Sequence, residues 1–336
     1  MFVSGDCFRD NGLRSFIEIN GIHGKCDVTG KETMVIDTVD VSDSFDSFFS
    51  SFKQSDEGSP LNKFIQDEWN VFCPDYVDII LEGLLKERSL GWEKDTLVAY
   101  SDSILDEVKK WSSIKRELVE EYRFMTGVKY DLDVYKHIFD AHIIDISAGT
   151  MFYRSRLNEK GCQTPFKEEE MGAPPRENAF AGRANPEGIP FLYLCSNPET
   201  TFYEIRVVFL DRVSTGVFTN KDRIKIVDFT QTKSPFDLFA DFDVRENIVA
   251  ELVMKQLMSD LSRPMRRDDS KLEYIPTQFI CEFIKFSTDA DGIAFNSSLS
   301  SGINYVMFNP KSFDCLKVDS YSVDKVEVKA TSVMIS

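Results

Sequence analysis

The sequence predicts an α+β protein in which an acidic, mainly helical N-terminal domain precedes a domain of mixed strands and helices. Three observations carry this prediction. Charge is uneven, with 16 basic against 29 acidic side chains over residues 1–150 and 23 against 27 over 151–336. The spacing of apolar residues changes from helical to strand-like after Gly149. All three tryptophans (Trp69, Trp92 and Trp111) lie in the first part. A chain of 336 residues, 42% hydrophobic and 28% charged, is ordinary globular sequence long enough for two domains.

Residues 1–40 mix glycine with short apolar runs such as Ser15-Phe16-Ile17-Glu18-Ile19, which alternate like small strands. Phe45, Phe48, Phe49 and Phe52 follow at i, i+3, i+4, i+7, the stripe of an amphipathic helix with Ser42 or Asp43 as N-cap. Pro74 to Lys86 and Ser103 to Phe124 repeat that period, the second ending near Gly127. Leu61 to Phe72 and Tyr135 to His142 are shorter helical stretches, so a helical domain is expected over 41–145. Beyond it, strands are expected at Met151–Arg154, Ile189–Leu194, Val207–Leu210, Val217–Phe218, Ile224–Val227, Gly292–Phe295, Tyr305–Phe308 and within 321–334. Helices are expected from Asn197 to Glu204, Glu246 to Leu261 and Pro276 to Phe286. Leu157 to Asn185 is a long Gly- and Pro-containing loop, and loops of that length inside a domain usually carry function.

Composition excludes several classes. A formal net charge of −17 argues against nucleic acid and anionic membranes as partners, since both require a positive surface. The three histidines are His23, His137 and His142, so no Ser-His-Asp hydrolase or His-ligated metal centre can be built within the C-terminal half. Seven scattered cysteines suit a reducing compartment better than a disulfide framework. The N-terminus lacks a basic and apolar leader pattern, and no apolar run reaches membrane-spanning length, so a cytoplasmic location is expected.

Four groups of residues could carry chemistry. Arg154 and Arg183 offer planar forks suited to a diphosphate, and the glycines around Arg183 and Asn185, ending at Gly188, permit close approach of a ligand. Solvated arginines on a surface turn are the plainer alternative. Tyr193 and Glu204 could meet in one cleft, the ring stacking on a flat heterocycle and the carboxylate stabilising a developing oxocarbenium ion or holding a ribose hydroxyl. Ser297 or Ser298, after a strand, could bond a ligand, although serine there is also ordinary turn chemistry.

Taken in order, Phe152-Tyr153-Arg154, then Gly182-Arg183-Ala184-Asn185-Pro186-Glu187-Gly188 with Leu192-Tyr193-Leu194 and Thr201-Phe202-Tyr203-Glu204, then Tyr274-Ile275-Pro276-Thr277-Gln278 and Asp291 to Ser298 resemble the three motifs of the RES domain. The resemblance implies an ADP-ribosyltransferase-like core of two β-sheets over 146–336 and an NAD-consuming toxin with NAD as substrate. It further implies that nicotinamide leaves by phosphorolysis, with inorganic phosphate as co-substrate, or by hydrolysis, and that no metal is needed. Arg154, Tyr193, Glu204 and Ser297 take the catalytic positions, with Arg183, Asn185, Gly188 and Ser298 binding the cofactor. An antitoxin or a phage component is the implied partner.

The N-terminal part is similar to the HEPN/RES N-terminal region found ahead of some RES domains, with 41–145 expected to regulate the chain or assemble it into a homo-oligomer. Residues 1–40 retain one cysteine of each zinc-knuckle pair, as Ser4-x-x-Cys7 and Cys26-x-x-Thr29. Two thiolates, even with His23 nearby, do not complete a tetrahedral zinc site. No histidine follows an arginine at the spacing of a HEPN ribonuclease.

Overall fold

The structure, a computed structural model, describes residues 1–124, 132–159, 164–236, 243–264 and 271–327. The chain forms two compact units, one of residues 1–113 with 232–255 and one of 114–231 with 256–336. These divisions differ from the expected boundaries after residues 40 and 145. The predicted helix stop at Gly127, and the part of the last expected strand beyond residue 327, lie outside the described residues.

In chain order the elements of the first unit are β1 (Phe2–Ser4), α1 (Asn11–Asn20), β2 (Ile22–Lys25), β3 (Glu32–Asp37), α2 (Ser42–Ser50), β4 (Phe52–Pro60), α3 (Leu61–Trp69), α4 (Val77–Arg88), β5 (Leu97–Tyr100) and the start of α5 (Asp102–Glu120). The unit is helical but not purely so, because β1, β3 and β2 form a small sheet and β4 pairs with β5. Residues 15–19, expected as a strand, are helical. Asp10 caps α1 by accepting from the Leu13 amide, and Leu13 and Ile17, four apart, are buried while Ile19 is 68% exposed. The phenylalanine stripe holds for Phe45, Phe48 and Phe49, but Phe52 opens β4 instead of closing the helix. The expected caps Ser42 and Asp43 lie inside α2, whose N-cap is Val41. A later segment completes this core: the Phe236 ring packs tilted against Phe45 and Phe48, with centroids 5.2 and 4.9 Å away.

The second unit begins in the latter part of α5 and continues through α6 (Asp133–Ala141), β6 (Ile143–Ile146), β7 (Met151–Leu157), β8 (Leu192–Cys195), α7 (Pro198–Glu204), β9 (Arg212–Asn220) and β10 (Ile224–Phe229). After α8 (Val244–Ser262), whose first part belongs to the other unit, come α9 (Ile275–Ser287), β11 (Gly292–Asn296), β12 (Ile303–Met307) and β13 (Phe313–Ser322). The strands form one eight-stranded sheet in the order β13-β9-β7-β8-β12-β11-β10-β6. Where two sheets were expected there is one, yet β7 and β8 are joined by a single residue pair, Tyr153 with Cys195. That joint leaves three strands on one side and five on the other.

Two further expectations are corrected here. Residues 143–145, expected within the helical domain, lie in β6, which pairs antiparallel with β10 as an edge of this sheet. Val207–Leu210, expected as a strand, is a turn. Arg206 and Leu210 have φ of 53° and 70°, values incompatible with an extended ladder, and Val208, Phe209 and Leu210 are exposed. Among the described residues, no helix is long and apolar enough to cross a membrane.

Candidate active site

The weak joint between β7 and β8 sits beside a cavity of about 420 Å³ whose walls include Tyr153, Arg154, Arg183, Tyr193, Cys195, Glu204, Tyr274, Ser298 and Asn304. Five of the eight residues predicted for the site therefore line one cavity: Arg154, Arg183, Tyr193, Glu204 and Ser298.

Glu204 is the last residue of α7. This short helix is held by its own chemistry. Pro198 occupies the first turn, and Asn197 caps it by accepting from the Thr200 amide at 2.8 Å. Buried Ser155 of β7 bonds to Thr201 at 2.5 Å and to Thr215 of β9 at 2.7 Å, which ties the helix to the sheet. The Glu204 carboxylate is in turn fixed from the segment after β11 and from β12. Ser297 donates its hydroxyl to Oε1 at 2.8 Å, and Asn304 donates its amide to the same oxygen at 2.7 Å. Among the described residues no hydrogen bond ends on Oε2, so that oxygen is available to a ligand.

Ser297 is thus placed beside Glu204 and not among the residues lining the cavity. Its hydroxyl also accepts from the amides of Leu299 and Ser300, at 3.1 and 3.2 Å, so every part of it serves the protein. Ser298 is the serine that lines the cavity. Gly302 permits this arrangement. Its carbonyl accepts from the Ser297 amide at 2.9 Å, and a Cβ there would lie 1.9 Å from the Thr200 hydroxyl oxygen.

The two arginines approach from different elements. Arg154 on β7 donates to the Met171 carbonyl at 2.6 Å. Burial, with Arg156 nearby, holds its guanidinium down to about 10, still fully charged at neutral pH. Arg183 donates to the Leu261 carbonyl, and burial lowers it as well, opposed by Tyr274, Glu204 and Tyr193 around it. Neither arginine has a carboxylate salt-bridge partner among the described residues. Two desolvated guanidinium groups with carbonyl partners retain donors for an anion.

Asn185 and Gly188 do not line the cavity. Asn185 is buried and spends its amide on the carbonyls of Phe180, Pro186 and Ile189, while its Oδ1 accepts from the Tyr193 hydroxyl at 2.6 Å. Gly188, at φ 82°, turns the chain and donates to the Ala179 carbonyl at 2.8 Å. Both shape the loop that carries Arg183. The Tyr193 hydroxyl also accepts from the Ala184 amide at 3.1 Å, and burial raises its pKa against that bond, so the phenol stays protonated and fixed while the residue lines the cavity. Gly182 is the residue that lets the hydroxyl in, since a Cβ there would fall 2.6 Å from it.

Sequence reasoning missed three contributors. Asn304 and Cys195 face each other across the β12–β8 pair. Tyr274 appears within a motif without a role, yet it lines the cavity, and its neighbours Thr277 and Gln278 pin the loop by donating to the carbonyls of Arg183 at 2.6 Å and Gly182 at 2.7 Å. The polar positions of that motif were the available signal. In the N-terminal unit, Cys7 and Cys26 lie 3.6 Å apart, His23 is exposed on β2, and among the described residues no three His, Cys, Asp or Glu side chains are grouped to hold a metal.

None of the curated proteins matches the chain. Among solved structures, a chain of the crystal structure of the M. tuberculosis MbcT–MbcA toxin–antitoxin complex is similar at 14% identity, over 56% of this chain and 92% of that one, with a TM-score of 0.32. The family model for the RES domain matches residues 151–327, just over half of the sequence and the segment that supplies the cavity's arginines, tyrosines, glutamate and serine. The chain belongs to the RES domain family.

Proposed function

We propose that this protein is an NAD-consuming toxin that breaks the bond between nicotinamide and ribose. The observation that carries the reading is the Glu204 carboxylate, held through one oxygen by Ser297 and Asn304, in a cavity that also presents Arg154, Arg183 and the Tyr193 ring. Nicotinamide departs neutral from a cationic ring nitrogen, so the leaving group needs no general acid. The requirement is a negative charge at ribose C1′ as positive charge grows there, which a fixed carboxylate meets without reorganising. Arg154 and Arg183 bind the diphosphate, or Arg154 binds an attacking inorganic phosphate. The ring of Tyr193 packs beside nicotinamide and excludes water.

Purified protein incubated with NAD, with and without inorganic phosphate, tests this by mass analysis of products. Nicotinamide with ADP-ribose 1-phosphate, formed when phosphate is supplied, identifies phosphorolysis, and ADP-ribose in both buffers identifies hydrolysis. Transfer of labelled ADP-ribose to protein would make it a macromolecular ADP-ribosyltransferase. Absence of nicotinamide release would leave a nucleotide-binding sensor and overturn the reading. Glu204→Ala is expected to lose about 10²–10³ in turnover while remaining folded by circular dichroism.

An enzyme that depletes NAD needs restraint, and we assign that role to the acidic N-terminal part, acting through self-association, and to an antitoxin partner. Light scattering of the full chain tests the first, with a concentration-independent monomer as the contrary result.

A further inference from the structure

We propose that Asn304 is a positioning residue for Glu204, and that the Cys195 thiol fixes the orientation of the Asn304 amide. The inference rests on Glu204 being the group that stabilises charge at the reacting bond.

Glu204 needs outside support. It sits at the end of a seven-residue helix, largely exposed, with a flexible side chain that water would leave mobile. Two donors remove that freedom. Ser297 reaches Oε1 from the segment after β11 and Asn304 reaches it from β12, so the carboxylate is held at one corner from two sides. Asn304 is itself held. It is 8% exposed and its Oδ1 accepts from the Cys195 Sγ at 3.3 Å. Cys195 stands directly opposite on β8 and is 6% exposed.

An amide has its donor and acceptor on opposite edges. One orientation of Asn304 satisfies both neighbours; the reverse would set its carbonyl against a carboxylate and its NH₂ against a protonated thiol. Burial, with Glu204 nearby, pushes the Cys195 thiol up to about 12, so at neutral pH it remains S–H and acts as a donor. This also removes Cys195 from consideration as a nucleophile, although it lines the cavity. The chain of bonds Cys195–Asn304–Glu204 therefore runs from the sheet interior to the carboxylate, and the reactive edge of Glu204 is left open.

The test uses the full chain and compares Asn304→Leu, Asn304→Asp, Cys195→Ser and Cys195→Val. Asn304→Leu is expected to lower kcat for nicotinamide release on the order of 10–100-fold with KM changed less than about threefold. Cys195→Val removes the donor and is expected to cost about tenfold or less, while Cys195→Ser, whose hydroxyl donates in the same place, restores activity. Asn304→Asp supplies the sharpest readout. At acid pH the introduced carboxylic acid is protonated and donates to Glu204 as the amide does; as pH rises it ionises and repels Glu204. Its activity relative to wild type should therefore fall with rising pH, which damage to the fold alone would not produce. Equal losses in kcat and KM, or an Asn304→Asp profile parallel to wild type, would overturn the proposal.

A second measurement does not depend on turnover. The infrared S–H stretch of Cys195, isolated as the difference between wild type and Cys195→Ser, should show a hydrogen-bonded thiol that becomes free in Asn304→Leu. If wild type releases no nicotinamide yet this band shifts, the reaction assigned to the protein fails and the Cys195–Asn304 link stands. If the band is that of a free thiol in both, the link fails whatever the reaction.

Discussion

The cluster around Glu204 and the cluster around Cys7 and Cys26 have much in common. Each gathers polar side chains from separate segments of the chain. They differ in what is left over. At Glu204, two donors converge on one carboxylate oxygen, the other oxygen is open, and two carbonyl-bonded arginines share the cavity. In the N-terminal unit, Cys7 Sγ meets Cys26 Sγ at 3.6 Å, Ser4 stands 3.9 Å from Cys7, and the Thr29 amide donates to Cys26 at 3.4 Å. Both thiols are fully buried, and the four knuckle positions are spent on one another. Bringing polar groups together does not by itself make a site; a site needs unspent bonding capacity facing space that a ligand can enter.

That contrast can be broken most forcefully at Gly302. Its carbonyl holds the Ser297 amide, and any Cβ would overlap the Thr200 hydroxyl at 1.9 Å. Gly302→Ala should displace the backbone behind Ser297 and cost about 10²-fold in nicotinamide release, because an ångström of misplacement at a reacting group has that scale. Steady-state kinetics beside a thermal melt separates this from unfolding, and normal turnover would show that Ser297 need not be fixed. A smaller and different effect is expected at Tyr193. Its hydroxyl is engaged by Asn185 and Ala184, so Tyr193→Phe should destabilise by roughly 1–3 kcal/mol through the buried Asn185 oxygen left without its donor. Its kcat should change by less than about tenfold, since the ring remains. A loss as large as that of Glu204→Ala would mean the phenol takes part in chemistry.

How much of this could be read beforehand follows from the range of the interactions. Arg154, Tyr193 and Glu204 were legible because each sits in a short motif with a local signature. Asn304 was not, since an asparagine inside Ile303-Asn304-Tyr305 carries no mark of its purpose; its role comes from standing opposite Cys195, over a hundred residues away in sequence. For Asn185, loop polarity does not reveal whether an amide faces a cavity or its own backbone, and here it bonds the carbonyls of Phe180, Pro186 and Ile189. The helix at 11–20 was hidden by Phe16, Ile17 and Ile19, whose order suits a strand, while the deciding features are the Asp10 cap and the buried pair Leu13 and Ile17. Val207–Leu210 shows the opposite: β-branched and aromatic residues favour a strand, but left-handed Arg206 before the segment and left-handed Leu210 at its end turn the chain. Phe236 could not be given to the first unit by any local pattern, because its partners Phe45 and Phe48 lie nearly two hundred residues earlier.

The smallest expected effect concerns the closed cluster and tests whether it is as self-contained as its geometry implies. Burial opposes ionisation of Cys26, but bonds from Ser4 and Thr29 outweigh it and hold the thiol down to about 7. Burial pushes its neighbour Cys7 up to about 12, so the pair passes from two protons to one as pH rises through about 7. The unfolded chain retains the Cys26 proton up to the ordinary thiol range, so between about pH 7 and that range it binds more protons than the folded protein. Stability from Cys26 therefore grows as pH rises through this window and is lost as pH falls through about 7. Thermal melts of wild type and Cys26→Ser should diverge by about 2–4 °C over this range, wild type gaining with pH. Comparing the two cancels other groups that titrate there, including the N-terminal amine. Parallel curves would show that Cys26 carries no thiolate and that the two clusters differ less than their hydrogen bonds indicate.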